Sequence, residues 1–259
     1  MSRESIEAME RLSAPQKVAL VTAGAKRLGQ AIALGLAGKG FQIVVHYHRS
    51  RLEAEETVQK IHNLGSQAIA LQADVSKEKE VQQLVQQAQS ELGAIDLLVN
   101  NAAIFPSSPW PELSERLWDE TLAVNLKGPF LCAKAVSDSM LQRKEGKIIN
   151  IASLGGIVAY QEHIAYSVSK AGLIMLTKCL AKALAPHVTV NAIAPGYIDF
   201  SNGEDQRNSS KIPLSRIPLQ RYGQAQDVVD LVIFLATQAS YITGQTFIVD
   251  GGRSLFSTT

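Results

Sequence analysis

Tyr166 and Lys170 are the two side chains of this sequence whose types and spacing most directly suggest chemistry. They stand four residues apart in 166-YSVSK-170, a segment that opens an amphipathic run, so a helix would present both on one face. A phenol is a weak acid with an ordinary pKa of about 10. An ammonium group held nearby favours the phenolate, so we expect Lys170 to lower the pKa of Tyr166 towards neutrality. The pair therefore predicts a proton donor.

Ser153 is the third candidate catalytic residue, because it ends the apolar run 146-GKIINIAS-153. A hydroxyl at the carboxyl end of a buried strand can hold a substrate oxygen or nitrogen next to the tyrosine. A tyrosine and a lysine at this spacing also occur by chance as an exposed helix pair. A serine at a strand end followed by a helix that opens with both residues favours a catalytic site.

A glycine-bearing turn joins a strand to a helix in 18-VALVTAGAKRLGQAIALGLA-37. Gly24 and Gly29 permit a tight turn and a close approach of backbone to ligand. Free N–H groups at a helix start, together with the helix dipole, attract an anion, and Lys26 adds a positive charge. We expect the phosphates of a dinucleotide here; a plain turn is the alternative.

The end of the second strand indicates which dinucleotide binds. NAD sites commonly place an acid there to bind the adenine ribose. This chain has the basic segment 46-HYHRSR-51 instead, and its first acid is Glu53. Arg49 can bind a 2′-phosphate as a fork, and Ser50 adds a donor. The sequence therefore favours NADPH over NADH, with a solvated basic helix start as the alternative.

The elements that must position these residues alternate regularly along the chain. Short, mostly apolar runs predict strands at 17–23, 41–47, 67–74, 96–102, 146–153, 188–195 and 245–251. Longer amphipathic runs predict helices at about 26–39, 50–65, 77–92, 113–143, 164–185 and 225–237. Near-continuous apolar strands are typical of a parallel sheet that is covered on both faces. We predict an α/β fold: one doubly wound Rossmann-type domain with a central, mainly parallel seven-stranded sheet.

The domain is expected to span 16–259, after an N-terminal extension at 1–15 to which the sequence assigns no role. No repeat or low-complexity block divides it. A polar segment at about 196–220 contains glycine and prolines and is long for a loop. Loops of this length are often functional lids. We expect this one to close over the substrate.

The composition argues against several classes of function. A formal net charge of +1 gives no bulk field for nucleic acid or membrane binding, and no nucleic-acid-binding motif is present. Cys132 and Cys179 have no metal-ligand spacing, so we expect reduced thiols and no metal. We find neither a secretory signal nor an apolar run of about 18 residues. A soluble, cytoplasmic protein that acts on a small molecule is expected.

Together the motifs resemble those of the short-chain dehydrogenase/reductase family over essentially the whole chain. The matching stretches are 22-TAGAKRLG-29, 73-ADV-75, 100-NNAA-103, Asn125, Ser153 with 166-YSVSK-170, 195-PG-196 and 243-TGQTFIVDGG-252. The resemblance implies an oxidoreductase that transfers a hydride between NADPH/NADP+ and a small substrate. The hydride chemistry would belong to the nicotinamide, and the protein would orient the reactants and supply the proton.

The resemblance also implies roles for individual residues. The catalytic set would be Asn125, Ser153, Tyr166 and Lys170, in which Tyr166 donates the proton, Ser153 orients the substrate and Asn125 helps hold Lys170 through a water. Asp74 and Val75 would flank the adenine, and Lys170 would also grip the nicotinamide ribose. The full cofactor-binding set would be Gly24, Lys26, Arg27, Leu28, Gly29, His46, Arg49, Ser50, Asp74, Val75, Asn101, Ala102, Ala103, Tyr166, Lys170, Pro195, Gly196 and Ile198.

The two long helical runs, 113–143 and 164–185, would form subunit interfaces by the same resemblance. The segment 171-AGLIMLTKCLAKALA-185 supports this independently, because it is apolar around most of its circumference. Such a helix has more surface to bury than one sheet face can cover. We expect a homotetramer or a homodimer; deep burial within a monomer is the alternative.

The glycine turn departs from the family pattern T-G-x-x-x-G-x-G. Ala23 stands at the first glycine position, and Arg27 stands at the second. Alanine, with Gly24 shifted by one, is tolerable there only if the position does not need a positive φ. An arginine beside the pyrophosphate could reach into the mouth of the active site.

Within the family, the chain is most similar to the pteridine reductases. The similarity lies in 26-KRLG-29, in 46-HYHRS-50 and in an aromatic residue, Phe105, soon after the NNA motif. Phe105 would stack on a flat pterin ring, and Arg27 would reach both the pterin and the cofactor phosphate. Ser153 and Tyr166 would complete the substrate-binding set. Core packing of Phe105 is the alternative.

Two other functions remain open at this stage. The simple Ser–Tyr–Lys set suits carbonyl reduction equally well, for example by a 3-oxoacyl-thioester reductase of the acyl-carrier-protein type. A non-catalytic protein that senses NADP(H) is a more remote possibility, since such a protein would be expected to lack the serine, tyrosine or lysine. This chain has all three.

Overall fold

The structure of the protein, a computed structural model, describes residues 16–200 and 212–255. The predicted extension at 1–15 lies outside the described residues, and so does the central part of the predicted lid, 201–211. Of that lid, residues 196–200 and 212–220 are described.

Seven strands form one sheet in the described part of the chain. They are β1 Val18–Val21, β2 Gln42–Tyr47, β3 Ala68–Gln72, β4 Ile95–Asn100, β5 Gly146–Ile151, β6 Val188–Pro195 and β7 Thr246–Val249. Their order is β3-β2-β1-β4-β5-β6-β7, and every neighbouring pair is parallel. The chain reverses its direction of winding between β1 and β4, which is where doubly wound sheets open a crevice for ligands.

Helices cover both faces of this sheet. They are α1 Arg27–Ala37, α2 Arg51–Asn63, α3 Glu78–Leu92, α4 Glu115–Leu122, α5 Gly128–Arg143, α6 Ile164–Leu184 and α7 Ala225–Thr237. One core lies under α1, α2 and α7, and a second lies under α3, α5 and α6. Strand β1 serves both cores, because Ala19 and Val21 face the first while Val18 and Leu20 face the second. The predicted fold, with its parallel seven-stranded sheet, is confirmed.

The predicted helical run at 113–143 is divided in the structure. A single wide turn of π-helix, Ala123–Lys127, separates α4 from α5. Such turns insert an extra residue into a helix and commonly occur at functional sites. The sequence pattern did not reveal the division, since the apolar period continues through it.

Helix α6 corrects one expectation about membranes. Within the described residues it is long and apolar enough to cross a membrane by length and composition alone, although we expected no such run. The core helix of a soluble protein meets the same criterion, and α6 lies in the second core. Only 33% of its most apolar window is buried. Met175 and Val168 are exposed, so deep burial within one subunit does not account for its apolar character.

Candidate active site

The turn after β1 is held from below by His46. The Ala23 N–H donates to His46 Nδ1 at 3.0 Å, and His46 Nε2 lies 3.0 Å from the Ala73 carbonyl oxygen. Since a carbonyl oxygen only accepts, Nε2 carries the hydrogen. Burial lowers the pKa of His46 to about 4, so the ring is neutral near pH 7. His46, which we expected among the residues that touch the cofactor, is buried beneath the turn with both ring nitrogens engaged in the protein.

Two residues of the turn adopt left-handed backbone conformations. Ala23 has φ of 49° and Arg27 has φ of 53°, so the condition under which alanine would be free of strain at this position is not met. These are the positions at which the family pattern has glycine. The Ala23 carbonyl has to point towards Gly29, where an added Cβ would come within 2.0 Å of its oxygen. The turn therefore keeps the geometry that glycine would provide, at a cost of about 1 kcal/mol per residue.

Asn101 fixes the same turn from the end of β4. Its side-chain Nδ2 donates to the Thr22 and Ala23 carbonyls at 3.0 and 3.2 Å. The backbone N–H groups of Asn101 and Ala102 both donate to the Thr22 hydroxyl. Asn101 and Ala102 are partly buried, whereas Ala103 is exposed. Asn101 and Ala102 of the NNA motif thus shape the predicted cofactor site through contacts within the protein.

The start of α1 is available to an anion. Among the described residues no side chain caps this helix, and no acid lies in its first turn. Its first N–H groups therefore lack a side-chain acceptor, which is the arrangement that binds phosphate. Lys26 is exposed beside it and pairs with Glu53 at 3.2 Å, while Leu28 is buried against the core. This donor set fits the pyrophosphate of a dinucleotide.

The predicted specificity segment follows β2 at the surface. His48 and Arg49 are exposed, and Arg49 makes no ion pair with a described residue. Ser50 precedes α2 and gives its helix no side-chain cap, so its hydroxyl is not committed to that end. Across the adjoining strand end, Asp74 Oδ1 accepts from the Ser76 N–H and hydroxyl, and Val75 is buried. The positive charges and donors fit a 2′-phosphate group.

Asn125 lies in the wide turn between α4 and α5 and is fully buried. Its Oδ1 accepts from the Ile104 N–H at 2.8 Å, and its Nδ2 donates to the Ile104 carbonyl and to the Ser169 hydroxyl. Asn125 therefore joins the loop after β4 to the helix that carries Lys170. The hydrogen bond to Ser169, which precedes Lys170 in the chain, ties Asn125 directly to this part of α6.

Ser153, Tyr166 and Lys170 come together at the carboxyl end of β5. The Ser153 hydroxyl accepts from the Gly155 N–H at 3.0 Å and lies close enough to the Tyr166 phenol to influence its pKa. Lys170 Nζ donates to the Ile151 carbonyl at 2.7 Å and lies 5.7 Å from the centroid of the Tyr166 ring. The spacing predicted from the sequence does place both α6 side chains on one face.

The charge state of this trio differs from our expectation. Burial raises the pKa of Tyr166 to about 12, and the nearby Ser153 hydroxyl only partly opposes this. Burial also lowers the pKa of Lys170 to about 7. An amine that is itself desolvated is a poor source of positive potential, so Lys170 does not lower the pKa of Tyr166 as predicted. In this state Tyr166 is a neutral phenol that retains its proton.

The residues after β6 border the same edge. Pro195 ends the strand, and the Gly196 N–H donates to the Val249 carbonyl at 2.9 Å. Ile198 pairs in a single bridge with Gly223. The first residues of the predicted lid are thus anchored to β7 and to the segment that precedes α7.

Phe105 is 56% exposed beside the catalytic tyrosine, so core packing does not explain it. Its ring stacks on His163 at 3.8 Å between centroids and meets Tyr166 edge-on at 4.6 Å. Arg27 lies on another side of the site, with its guanidinium carbon 5.8 Å from the centroid of the Phe200 ring.

The sequence analysis did not single out His163 or the nearby Tyr160. Their position just before Tyr166 at the start of a helix was the available signal.

This combination defines a class of protein. A doubly wound sheet with a phosphate turn after β1, a serine at the end of β5 and a Tyr-x-x-x-Lys pair on the next helix is the arrangement of the short-chain dehydrogenases and reductases. Residues 23–254 match the family model described as "Enoyl-(Acyl carrier protein) reductase". The chain belongs to the short-chain dehydrogenase/reductase family and is an oxidoreductase of that family.

Particular relatives are similar along nearly the whole chain. A 3-oxoacyl-[acyl-carrier-protein] reductase of Synechocystis sp. is 45% identical over 243 residues, which are 93% of this chain and 98% of the relative. A 3-oxoacyl-[acyl-carrier-protein] reductase FabG of Staphylococcus epidermidis is 40% identical over 91% of this chain and 98% of its own length.

Solved structures agree with the fold. The acetoin dehydrogenase YohF of Salmonella typhimurium superimposes with a TM-score of 0.86 at 36% identity, over 94% of this chain and 98% of that one. A putative short-chain alcohol dehydrogenase of Sinorhizobium meliloti 1021 gives the same TM-score and identity, over 93% and 97%.

Proposed function

We propose that the protein is an NADPH-dependent reductase of 3-oxoacyl thioesters of the acyl-carrier-protein type. The observation that carries the proposal is that the Ser153 hydroxyl lies beside the Tyr166 phenol at the carboxyl end of β5, with Lys170 Nζ 5.7 Å from the tyrosine ring. Two hydroxyl groups that meet in this way can both reach one carbonyl oxygen, which is what reduction of a ketone requires. Relatives at 40 to 45% identity bear the name of this activity.

The residues of this chain would hold the carbonyl and deliver the proton. Bound NADPH supplies the hydride for the carbonyl carbon. Tyr166 is neutral because burial raises its pKa to about 12, so it retains a proton until the oxygen becomes strongly basic. Ser153 orients the oxygen. The Ile151 carbonyl fixes Lys170 Nζ 5.7 Å from the centroid of the Tyr166 ring, and Asn125 binds the hydroxyl of the adjacent Ser169.

The preference for NADPH is supported by charge. The segment after β2 presents Arg49 and His48 to solvent and provides the Ser50 hydroxyl nearby. An acid in their place would repel a 2′-phosphate. We assign the pyrophosphate to the turn Gly24–Gly29 with its Lys26, the adenine to Asp74 and Val75, and the nicotinamide end to Pro195, Gly196, Ile198 and the loop 101–103.

Assembly and location complete the proposal. Phe130 on α5 and Val168 and Met175 on α6 are large apolar side chains that one subunit leaves exposed. Helices with such faces gain stability by packing against a second copy. We propose a homotetramer, or at least a homodimer, in the cytoplasm. Sedimentation velocity at micromolar protein would reveal the assembly, and a monomer would contradict it.

Pteridine reduction, our first expectation, receives no support from the relatives described above. It keeps one observation in its favour, which is that Phe105 is exposed next to Tyr166. One face of that ring is already occupied by His163 at 3.8 Å, so a pterin would have to use the other face or displace the imidazole. We therefore place pteridine reduction second.

The deciding experiment measures the loss of NADPH absorbance with two substrates. Acetoacetyl-acyl-carrier-protein is the test substrate, and dihydrobiopterin is the competitor. We expect turnover of the thioester, loss of that turnover in Ser153→Ala, and little activity with the pterin. Turnover of the pterin alone would refute the proposal and restore Phe105 and Arg27 as substrate residues.

A further inference from the structure

Arg253 lies at the same edge of the sheet as the catalytic residues, in the short turn Arg253–Leu255 that follows β7. The turn is held by Asp250, whose two carboxylate oxygens accept from the Gly252 and Ser254 N–H groups at 2.8 and 2.6 Å. Gly196, at the start of the predicted lid, packs closely against Asp250. The carboxyl end of β7 thus places Arg253 beside the substrate side of the site.

The guanidinium group of Arg253 has an aromatic partner but no acidic one. Its carbon lies 5.6 Å from the centroid of the Tyr160 ring. Within residues 16–200 and 212–255 it forms no ion pair, and the carboxylate of Asp250 is already engaged by backbone N–H groups. A partly buried cation without a counter-charge is costly unless a ligand supplies one.

Tyr160 connects this cation to the catalytic tyrosine. Its ring packs against Gly155, two residues after Ser153, where an added Cβ would approach the ring within 2.8 Å. Burial is the main cause of the raised pKa of Tyr166, and the nearby Tyr160 phenol raises it slightly further. Tyr160 also meets His163 edge-on at 6.4 Å. Arg253 is therefore one aromatic ring away from the reacting centre.

We propose that Arg253 binds the carboxylate of a small substrate, so that the enzyme reduces short 3-oxo carboxylates in the same site. The planar guanidinium matches a carboxylate as a two-pronged donor, and Tyr160 holds its plane. Arg253 lies over Tyr160, whose ring packs against Gly155 near Ser153, so we assign the anion to the part of the substrate that enters the site.

The bond changes at the ketone of a 3-oxo carboxylate would be the same as those proposed for the thioester. NADPH is oxidised to NADP+ as its hydride forms a C–H bond at the ketone carbon. The C=O π bond breaks, its electron pair moves to oxygen, and the Tyr166 proton forms the hydroxyl group. The carboxylate is unchanged and stays on Arg253. This inference rests on the catalytic assignment made in the proposed function.

The test compares acetoacetate with its neutral methyl ester, which presents the same ketone without the charge. In Arg253→Gln we expect kcat/KM for acetoacetate to fall about tenfold or more relative to the ester, mainly through KM. Arg253→Lys should keep most of the preference. Lys39→Gln, which removes an exposed cation just after the end of α1, is the control for lost charge and should leave both rates unchanged.

Three results would overturn the inference. The first is that the unmodified enzyme does not turn over acetoacetate. The second is that Arg253→Gln changes kcat/KM equally for acetoacetate and its methyl ester. The third is that Arg253→Gln lowers kcat/KM only for acetoacetyl-coenzyme A, relative to the neutral N-acetylcysteamine thioester. The last result would move the anion to the carrier phosphate. Failure of the proposed function has a different signature, namely no reduction of acetoacetyl-acyl-carrier-protein while acetoacetate is still reduced.

Discussion

The two halves of the carboxyl edge of the sheet hold their functional groups in opposite ways. Around β5 and α6, Lys170 and Ser153 are buried and hydrogen-bonded within the protein. After β2, Arg49 and His48 are exposed to solvent. Groups that move protons gain from a fixed, water-poor setting, whereas groups that recognise a phosphate can remain hydrated until it binds. The proposed catalytic half is therefore preorganised by the fold, and the proposed recognition half would act mainly through charge.

Removing the phenol is the most severe way to test the buried half. In Tyr166→Phe we expect kcat with an acetoacetyl thioester to fall about a hundredfold or more, because the neutral phenol beside Ser153 is lost as proton donor. NADPH binding, followed by its fluorescence, should persist. Tyr241→Phe, at a fully exposed tyrosine, is the control. Near-normal turnover by Tyr166→Phe would mean that another group supplies the proton.

A pH series tests whether burial lowers the pKa of Lys170. Its folded pKa of about 7 is below its ordinary value of 10.5, so the unfolded chain binds more protons between these values. The stability of the unmodified protein relative to Lys170→Met should therefore rise with pH across that window, by up to about 2–3 kcal/mol from pH 7 to pH 9. Urea unfolding of both proteins at both pH values measures the change. A difference that does not depend on pH would show that the amine is not desolvated.

The exposed half should respond with a smaller, selective effect. Arg49→Ala should raise the KM for NADPH about tenfold and leave the KM for NADH nearly unchanged, since one charged hydrogen bond to the 2′-phosphate is lost. Added salt should reduce the difference. Lys60→Ala, at an exposed lysine farther along α2, controls for net charge. An equal effect on both cofactors would remove the assignment of Arg49.

The smallest effect concerns the strained turn between the two halves. Ala23→Gly should raise the free energy of unfolding by about 1 kcal/mol, because glycine relieves the positive φ at that position. Ala25→Gly, in the same turn but without a positive φ, should lower it by a similar amount. Thermal unfolding compares the two variants. Destabilisation of similar size in both would mean that Ala23 is not strained.

Sequence patterns determined most of the framework. The seven apolar runs became the seven strands, because strands buried on both faces must be apolar throughout. The order of the motifs was enough to identify the family, and the i, i+4 spacing was enough to place Tyr166 and Lys170 on one helical face. These are local properties of the chain, and the amino-acid sequence alone determines them.

The tertiary structure decided the protonation states and the contacts between residues that are distant in sequence. His46 reads as one more basic residue in a polar segment, yet burial makes it a neutral support for the turn. Lys170 reads as a cation, yet desolvation lowers its pKa. Arg253 is far from Tyr160 in sequence and meets it only because parallel strands bring their carboxyl ends to one edge. Protonation and contact depend on burial and on distant neighbours, and neither is written in a local pattern.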